Sequence, residues 1–89
     1  MRVLFTHSAQ RDLMRLRDFI AEKNPQAATQ IGGRLVASIM RLSDQPSMGV
    51  NVEAMPGIQD LISGEYIVRY AVLEEEVYIL RIWHGREDR

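Results

Sequence analysis

Two runs near the C-terminus, Tyr66 to Val72 and Val77 to His84, are apolar at most positions, and that restricts what the chain can become. Both are rich in β-branched and aromatic residues, as strands are. Leu73-Glu-Glu-Glu76 between them reads as a hairpin tip, although it holds no Gly or Asn to take a positive φ. Three adjacent carboxylates there also discourage edge-to-edge aggregation. Symmetric pairing about Glu74-Glu75 sets Tyr70 opposite Ile79, Val68 opposite Arg81 and Tyr66 opposite Trp83. Side-chain alternation then puts Tyr66, Val68, Tyr70, Val72, Val77, Ile79, Arg81 and Trp83 on one face. Ile67, Arg69, Ala71, Tyr78, Leu80, Ile82 and His84 fall on the other. Both faces are largely apolar, whereas an antiparallel sheet usually turns one polar face to water.

The remaining chain can cover only one of them. Residues 1–89 make a single domain, too short for a second core. Arg2 to Thr6 reads as a short strand, and Ser8 as the N-cap of a helix running to about Lys23. Its apolar residues Leu13, Leu16, Phe19 and Ile20 share a face, while Arg11–Arg15 and Asp18–Glu22 repel mildly. Asn24-Pro25 then caps and starts a second helix, which runs to about Ser43. Its stripe is Ala28, Ile31, Leu35, Ile39 and Leu42, interrupted by Gly32-Gly33. Two glycines inside a helix cost about 1 kcal/mol each relative to Ala, which close packing against the first helix would explain. Asp44 to Gly57 has no period and reads as a loop, followed by a short strand, Ile58 to Ile62, and a Ser63-Gly64 turn. The fold class is therefore α+β: a short N-terminal strand, an antiparallel helix hairpin and a three-stranded antiparallel meander, in the order β-α-α-β-β-β. One apolar sheet face stays open unless the sheet curls around the helices, and such a face marks a partner site. The pattern does not decide which face the helices take.

Charge and composition narrow the function. A net charge of −1 argues against gripping many phosphates by charge alone, and against sequence-specific DNA binding by this chain on its own. Every basic residue except Lys23 is arginine, which suits bidentate contact with carboxylate or phosphate. The absence of cysteine excludes a disulfide-stapled scaffold and fits a cytoplasmic protein. Val3-Leu4-Phe5 is far shorter than the roughly 7–15 apolar residues of a signal peptide or the roughly 20 of a membrane span, so no membrane is expected. His7 and His84 share no ligand spacing, and Gly32-Gly33 sits in a helical pattern rather than a phosphate loop. Neither a metal nor a cofactor is expected.

The order of elements, together with several short words, resembles the RelE/ParE superfamily of toxins from type II toxin–antitoxin systems. Ser63-Gly-Glu-Tyr-Ile-Val-Arg-Tyr-Ala-Val72 is similar to its glycine–tyrosine–hydrophobic–arginine–tyrosine strand. Val77-Tyr-Ile-Leu-Arg-Ile-Trp-His-Gly-Arg-Glu-Asp88 is similar to its closing strand, Gly57-Ile-Gln-Asp-Leu61 to the strand before, and Asn24-Pro25-Gln-Ala-Ala28 to its inter-helix turn. The resemblance covers essentially the whole chain. It implies a growth-arresting toxin, of the kind that supports plasmid stabilization, neutralised by a cognate antitoxin. One branch, RelE-like, cleaves messenger RNA on the ribosome; the other, ParE-like, inhibits DNA gyrase by binding it.

Three features place the chain nearer the ParE-like branch, and so nearer a binding toxin than an enzyme. It is slightly acidic where the ribonucleases tend to be basic. Ile67 stands where many of them carry an arginine, and the chain stops at Arg89 without their further segment. Arg86 does align with a ribonuclease-branch arginine. The target-binding candidates are Arg81, Trp83, His84 and Arg86, since Trp and Arg dominate interface hot spots. As a ribonuclease, His84, Arg86 and Arg81 would be the catalytic set, with His84 as an acid or base because histidine is the side chain suited to that role near neutral pH. The antitoxin-binding candidates are Leu13, Leu16, Ile67, Arg69, Leu80 and Ile82. Plainer roles stand beside these: Trp83 as core, His84 as a strand-end residue bonding a loop, and Arg69 and Arg81 paired with acids inside the fold. A chain that binds its antitoxin but poisons nothing is a further possibility.

Overall fold

The computed structural model describes residues 1–86; Glu87 and Asp88 of the closing motif, and Arg89 after them, lie outside the described residues. Strand β1 (Arg2–Phe5) leads directly into α1 (His7–Lys23), then come α2 (Pro25–Met40) and a 3-10 turn at Arg41–Ser43. Strands β2 (Val50–Asn51), β3 (Ile58–Ser63), β4 (Tyr66–Leu73) and β5 (Glu76–His84) follow. Among the described residues the strands form one mixed sheet, ordered β1-β5-β4-β3-β2. The helix hairpin is the crossover that lets β1 lie parallel to β5, with Val3 beside Val77 and Phe5 beside Ile79. The expected order of elements holds, with β2 added inside the segment read as a loop.

Asn24 caps α2 as the sequence predicts, its side chain accepting the Ala27 N–H. The first helix starts earlier than Ser8. Thr6 is the cap, because its own N–H is already bonded to the Ile79 carbonyl (3.1 Å) while its hydroxyl accepts the Ala9 N–H (3.1 Å). The buried stripe of α1 is Ala9, Asp12, Leu16 and Ile20, at steps of three and four. Phe19 falls off this stripe and is 52% exposed, with the Lys23 ammonium over its ring. In α2, Leu35 and Ile39 are buried, and Leu42 just beyond joins them. Close helix packing does not explain Gly32-Gly33. A Cβ at Gly33 would meet nothing within 4 Å, and one at Gly32 only the Arg17 Cγ at 4.0 Å. Gly33→Ala is therefore expected to raise stability by about 0.5–1 kcal/mol, read as a higher urea midpoint at unchanged slope.

The sheet settles which face the helices take. Leu61, Val68, Tyr70, Val77, Ile79 and Ile82 are buried with Leu16, Leu35, Ile39 and Leu42 in one core. Tyr70 pairs with Ile79 as symmetric pairing requires, but a bulge shifts everything beyond Arg69. Val68 faces Ile82 instead of Arg81, and Tyr66 faces His84 instead of Trp83. The reason is burial: without the extra residue, Arg81 and Trp83 would point at the core and Ile82 away from it. The polar backbone that a bulge exposes is satisfied from the start of α1. The Thr6 hydroxyl lies within reach of the Ile79 and Leu80 carbonyls (2.9 and 3.2 Å), and the Asp12 carboxylate accepts the Ile82 N–H (2.9 Å).

At the tip between β4 and β5, Glu74 and Glu75 both take left-handed backbone, φ 49 and 65. That is the geometry of a type I′ turn, which Asn-Gly adopts without steric cost and two glutamates do not. Replacing Glu74-Glu75 by Asn-Gly is expected to stabilise the hairpin by about 1 kcal/mol, visible as a rise in Tm of several degrees.

Candidate target-binding site

The bulge shapes the candidate site. By moving Ile82 into the core it turns Trp83 to the opposite face of the sheet, beside Ile67, its partner on β4. That face carries Ile62, 67% exposed, with half-buried Ile67, Tyr78, Leu80 and Trp83. Met55, from the loop before β3, laps onto its edge at Arg69 (3.6 Å from sulfur to Nη1). Arg69 binds Asp60 through two parallel hydrogen bonds, Nε to Oδ1 at 2.9 Å and Nη2 to Oδ2 at 3.0 Å. This carboxylate bond raises the arginine's pKa above its ordinary value against a smaller effect of burial. The same guanidinium lies over the Trp83 ring, 5.0 Å from its centroid. Trp83 is thus fixed in orientation by a charge that is itself fixed, which makes a rigid aromatic anchor on an apolar surface.

The strand end beyond is polar. His84 sits against Tyr66, ring edge to face with centroids 5.2 Å apart. Its Nδ1 accepts the Arg86 N–H at 3.1 Å, which in the neutral ring leaves the proton on Nε2, directed at the Glu65 carboxylate 3.3 Å away. The Gly85 N–H bonds the Glu65 carbonyl (2.7 Å), so the closing motif is tied back to the β3–β4 turn. Among the described residues no carboxylate pairs with the Arg86 guanidinium.

Arg81 is used differently. Strand β1 has ended by this point of β5, and the Arg81 side chain reaches α1, where Nε binds Asp12 Oδ2 at 2.7 Å and Nη2 binds Oδ1 at 3.3 Å. Burial works against the charge on Asp12. The bonds from Arg81 and Ile82 and the charges of Arg81 and Arg15 outweigh it and hold the carboxyl below its ordinary value.

Of the four target-binding candidates, Trp83, His84 and Arg86 lie together at this end of β5, and Arg81 is engaged by Asp12. Of the antitoxin-binding candidates, Ile67, Arg69 and Leu80 lie on the open face, and Leu13 on α1 is half-buried. Leu16 and Ile82 are core residues, 1% and 0% exposed, and offer a partner no surface. Ile82 was misplaced by the missing bulge. Asp12, Asp60 and Glu65, which hold the site's cations and histidine, were not singled out from sequence. Asp12 had a visible signal, since it is an acid within the apolar stripe Ala9–Leu16–Ile20. Among the described residues no group of three or more His, Cys, Asp or Glu side chains could hold a metal ion, and no helix is long and apolar enough to cross a membrane.

The model of the family described as "ParE toxin of type II toxin-antitoxin system, parDE" matches residues 3–89. The chain belongs to the ParE toxin family. It is a toxin of the RelE/ParE superfamily, and relatives carry both names. Toxin RelE1 of Caulobacter vibrioides is 36% identical over 98% of this chain and 96% of its own length. A chain of the chromosomal ParDE toxin–antitoxin system of P. aeruginosa has the same fold, with a TM-score of 0.83 over 94% of this chain and 95% of that one, at 24% identity. A chain of the RelBE2 toxin–antitoxin complex of Mycobacterium tuberculosis superposes with a TM-score of 0.66 over 93% and 95% of the two chains, at 28% identity.

Proposed function

We propose that this ParE-family toxin arrests growth by binding DNA gyrase through the end of β5, and that a cognate antitoxin neutralises it. The observation that carries this reading is how the arginines of the site are used. Arg69 is held by Asp60 and stacked on Trp83, Arg81 is held by Asp12, and the position beside Trp83 is the aliphatic Ile67. What remains exposed is an apolar surface with a fixed tryptophan and, at its end, Arg86 without a carboxylate partner among the described residues, a composition closer to a protein interface than to a phosphate-binding centre built from several free cations. Trp83→Ala is expected to abolish growth arrest on overexpression while the purified variant keeps a cooperative thermal transition. Undiminished arrest by that variant would place the target contact elsewhere.

A second reading rests on the His84–Glu65 pair and on the RelE name of the Caulobacter relative. In a ribosome-dependent endoribonuclease, His84 would move the proton of the ribose 2′-hydroxyl and Arg86 would meet the developing phosphate charge. Mapping of message ends after induction separates the two. Site-specific cuts that disappear in a His84→Ala, Arg86→Ala double variant support the nuclease; uncut message during full arrest supports gyrase.

A further inference from the structure

The contacts that orient Trp83 begin two strands away from it. Asp60 on β3 stands directly opposite Arg69 on β4, and Arg69 stands opposite Arg81 on β5. Two guanidinium side chains facing each other across neighbouring strands repel. Each is drawn aside by its own acid: Asp12 turns Arg81 to α1, and Asp60 takes Arg69 by both Nε and Nη2. A bidentate carboxylate fixes the plane of the guanidinium as well as its position, which a single bond would not do. Held in that plane, Arg69 lies over the Trp83 ring, its diagonal neighbour on β5. Two strand spacings, roughly 10 Å, separate β3 from β5, so Asp60 acts on Trp83 through the guanidinium between them.

The acid is held in turn by the segment before it. Val50 of β2 pairs with Asp60, and the Gly49 backbone packs against the Asp60 carbonyl. Met55, from the same segment, brings its sulfur to Arg69 Nη1, the nitrogen that Asp60 does not take. The stretch between closes on itself: Met55 N–H bonds the Val52 carbonyl, Ile58 N–H the Met55 carbonyl and Val52 N–H the Ile58 carbonyl, each at 3.0 Å. One side of the segment thus fixes the carboxylate and the other meets the guanidinium. Both partners of the ion pair are shielded, with side chains 27% and 18% exposed for Arg69 and Asp60, so salt screens them less than a surface pair.

We infer that Asp60 is a positioning residue of the target-binding site: through Arg69 it holds the Trp83 ring in the orientation that the target meets. The inference rests on the reading of Trp83 as the target contact, and adds a residue on another strand whose loss disarms the toxin. An anchor that is fixed beforehand gives up little freedom on binding, so its preorganisation appears as affinity. Asp60→Asn keeps the size of the side chain and one acceptor oxygen but removes the charge and the second acceptor. The guanidinium is then no longer clamped in its plane, and the Trp83 ring loses a fixed cover.

Trp83 is the single tryptophan of the chain, so its fluorescence reports on this ring alone. The test measures acrylamide quenching of that emission, and inhibition of purified DNA gyrase, for wild type, Asp60→Asn, Asp60→Glu and Asp44→Asn. The last removes the same charge from an exposed position of the connecting segment. Asp60→Asn is expected to raise the quenching constant about twofold and the toxin concentration for half-inhibition about 10-fold, with Asp60→Glu between it and wild type. Asp44→Asn should match wild type in both. A partly exposed ion pair adds only modestly to stability, so Asp60→Asn should melt within about 5 °C of wild type. Arg69→Lys, which keeps the charge but not the planar fork, is expected to behave as Asp60→Asn does and asks the same question without touching β3. Wild-type quenching in both variants, changed quenching with undiminished inhibition, or an equal effect of Asp44→Asn overturns the inference alone. Wild-type toxin that leaves supercoiling intact overturns the gyrase reading; growth arrest on induction then replaces supercoiling as the activity that Asp60→Asn must weaken.

Discussion

Replacing Asp12 by alanine is expected to lower the unfolding free energy by about 2–4 kcal/mol, a large share of what a chain of this size has to lose. Two contributions make up that figure. The larger is the Ile82 N–H, which lies just past the bulge at a fully buried residue and has the Asp12 carboxylate as its acceptor. A buried donor left without a partner costs about 1–3 kcal/mol. The smaller is the pair with Arg81, whose side chain is 43% exposed, so solvent screening limits it to about 1 kcal/mol or less. In a thermal melt followed by circular dichroism the loss should appear as a drop in Tm of roughly 10–20 °C. Asp12→Asn, which keeps an acceptor for the Ile82 N–H, should recover more than half of it.

The same residue gives the fold a pH dependence of known sign. The folded-state carboxyl lies below its ordinary value, so its contribution to stability is fully present above the unfolded value near pH 4 and is lost as the pH falls towards the folded one. Wild-type stability should therefore decline below about pH 4 more steeply than that of Asp12→Asn. Parallel curves for the two proteins would show that Asp12 does not titrate with folding.

Tyr70→Phe should have the second large effect, about 1–3 kcal/mol, and it should be felt first in the loop that β2 interrupts. The Tyr70 ring is fully buried, and its hydroxyl accepts the Gly49 N–H (2.9 Å) while facing the Pro46 carbonyl (2.7 Å) and the Gln59 side chain. One hydroxyl thus ties the segment before β2 to the sheet. Burial also raises its pKa, outweighing the Gly49 N–H, which keeps it a neutral donor across the physiological range. Gly49 itself must be glycine, because a Cβ there would lie 2.7 Å from the Tyr70 hydroxyl and 2.9 Å from the Asp60 carbonyl. Hydrogen exchange should show the Gly49 amide exchanging faster in Tyr70→Phe well below the denaturation midpoint. Unchanged exchange there would mean that the loop is held by other contacts.

The helices and the C-terminal hairpin were legible because each advertises itself locally, through Asn24-Pro25, through apolar spacing and through β-branched runs. The parallel contact of β1 with β5 was not, since it joins residues more than seventy positions apart and leaves no local trace. The bulge after Arg69 was missed for a related reason. Symmetric pairing is the default of the turn, and only the whole core, with Ile82 competing against Trp83 for burial, selects the shifted register. Everything that depended on register then moved with it: Ile82 left the surface, His84 came to Tyr66, and Trp83 came to Ile67. The acids that organise the site were hidden differently. Asp12 stood in plain view on a buried stripe, whereas nothing near Glu65 in sequence points to His84.

The most direct test of the proposed function is the supercoiling of relaxed plasmid by purified DNA gyrase in the presence of increasing wild-type toxin, with Trp83→Ala as the control. Loss of supercoiling as toxin approaches stoichiometry with gyrase, restored by the Trp83 substitution, is the expected outcome. Undiminished supercoiling at a large excess of folded toxin would contradict it.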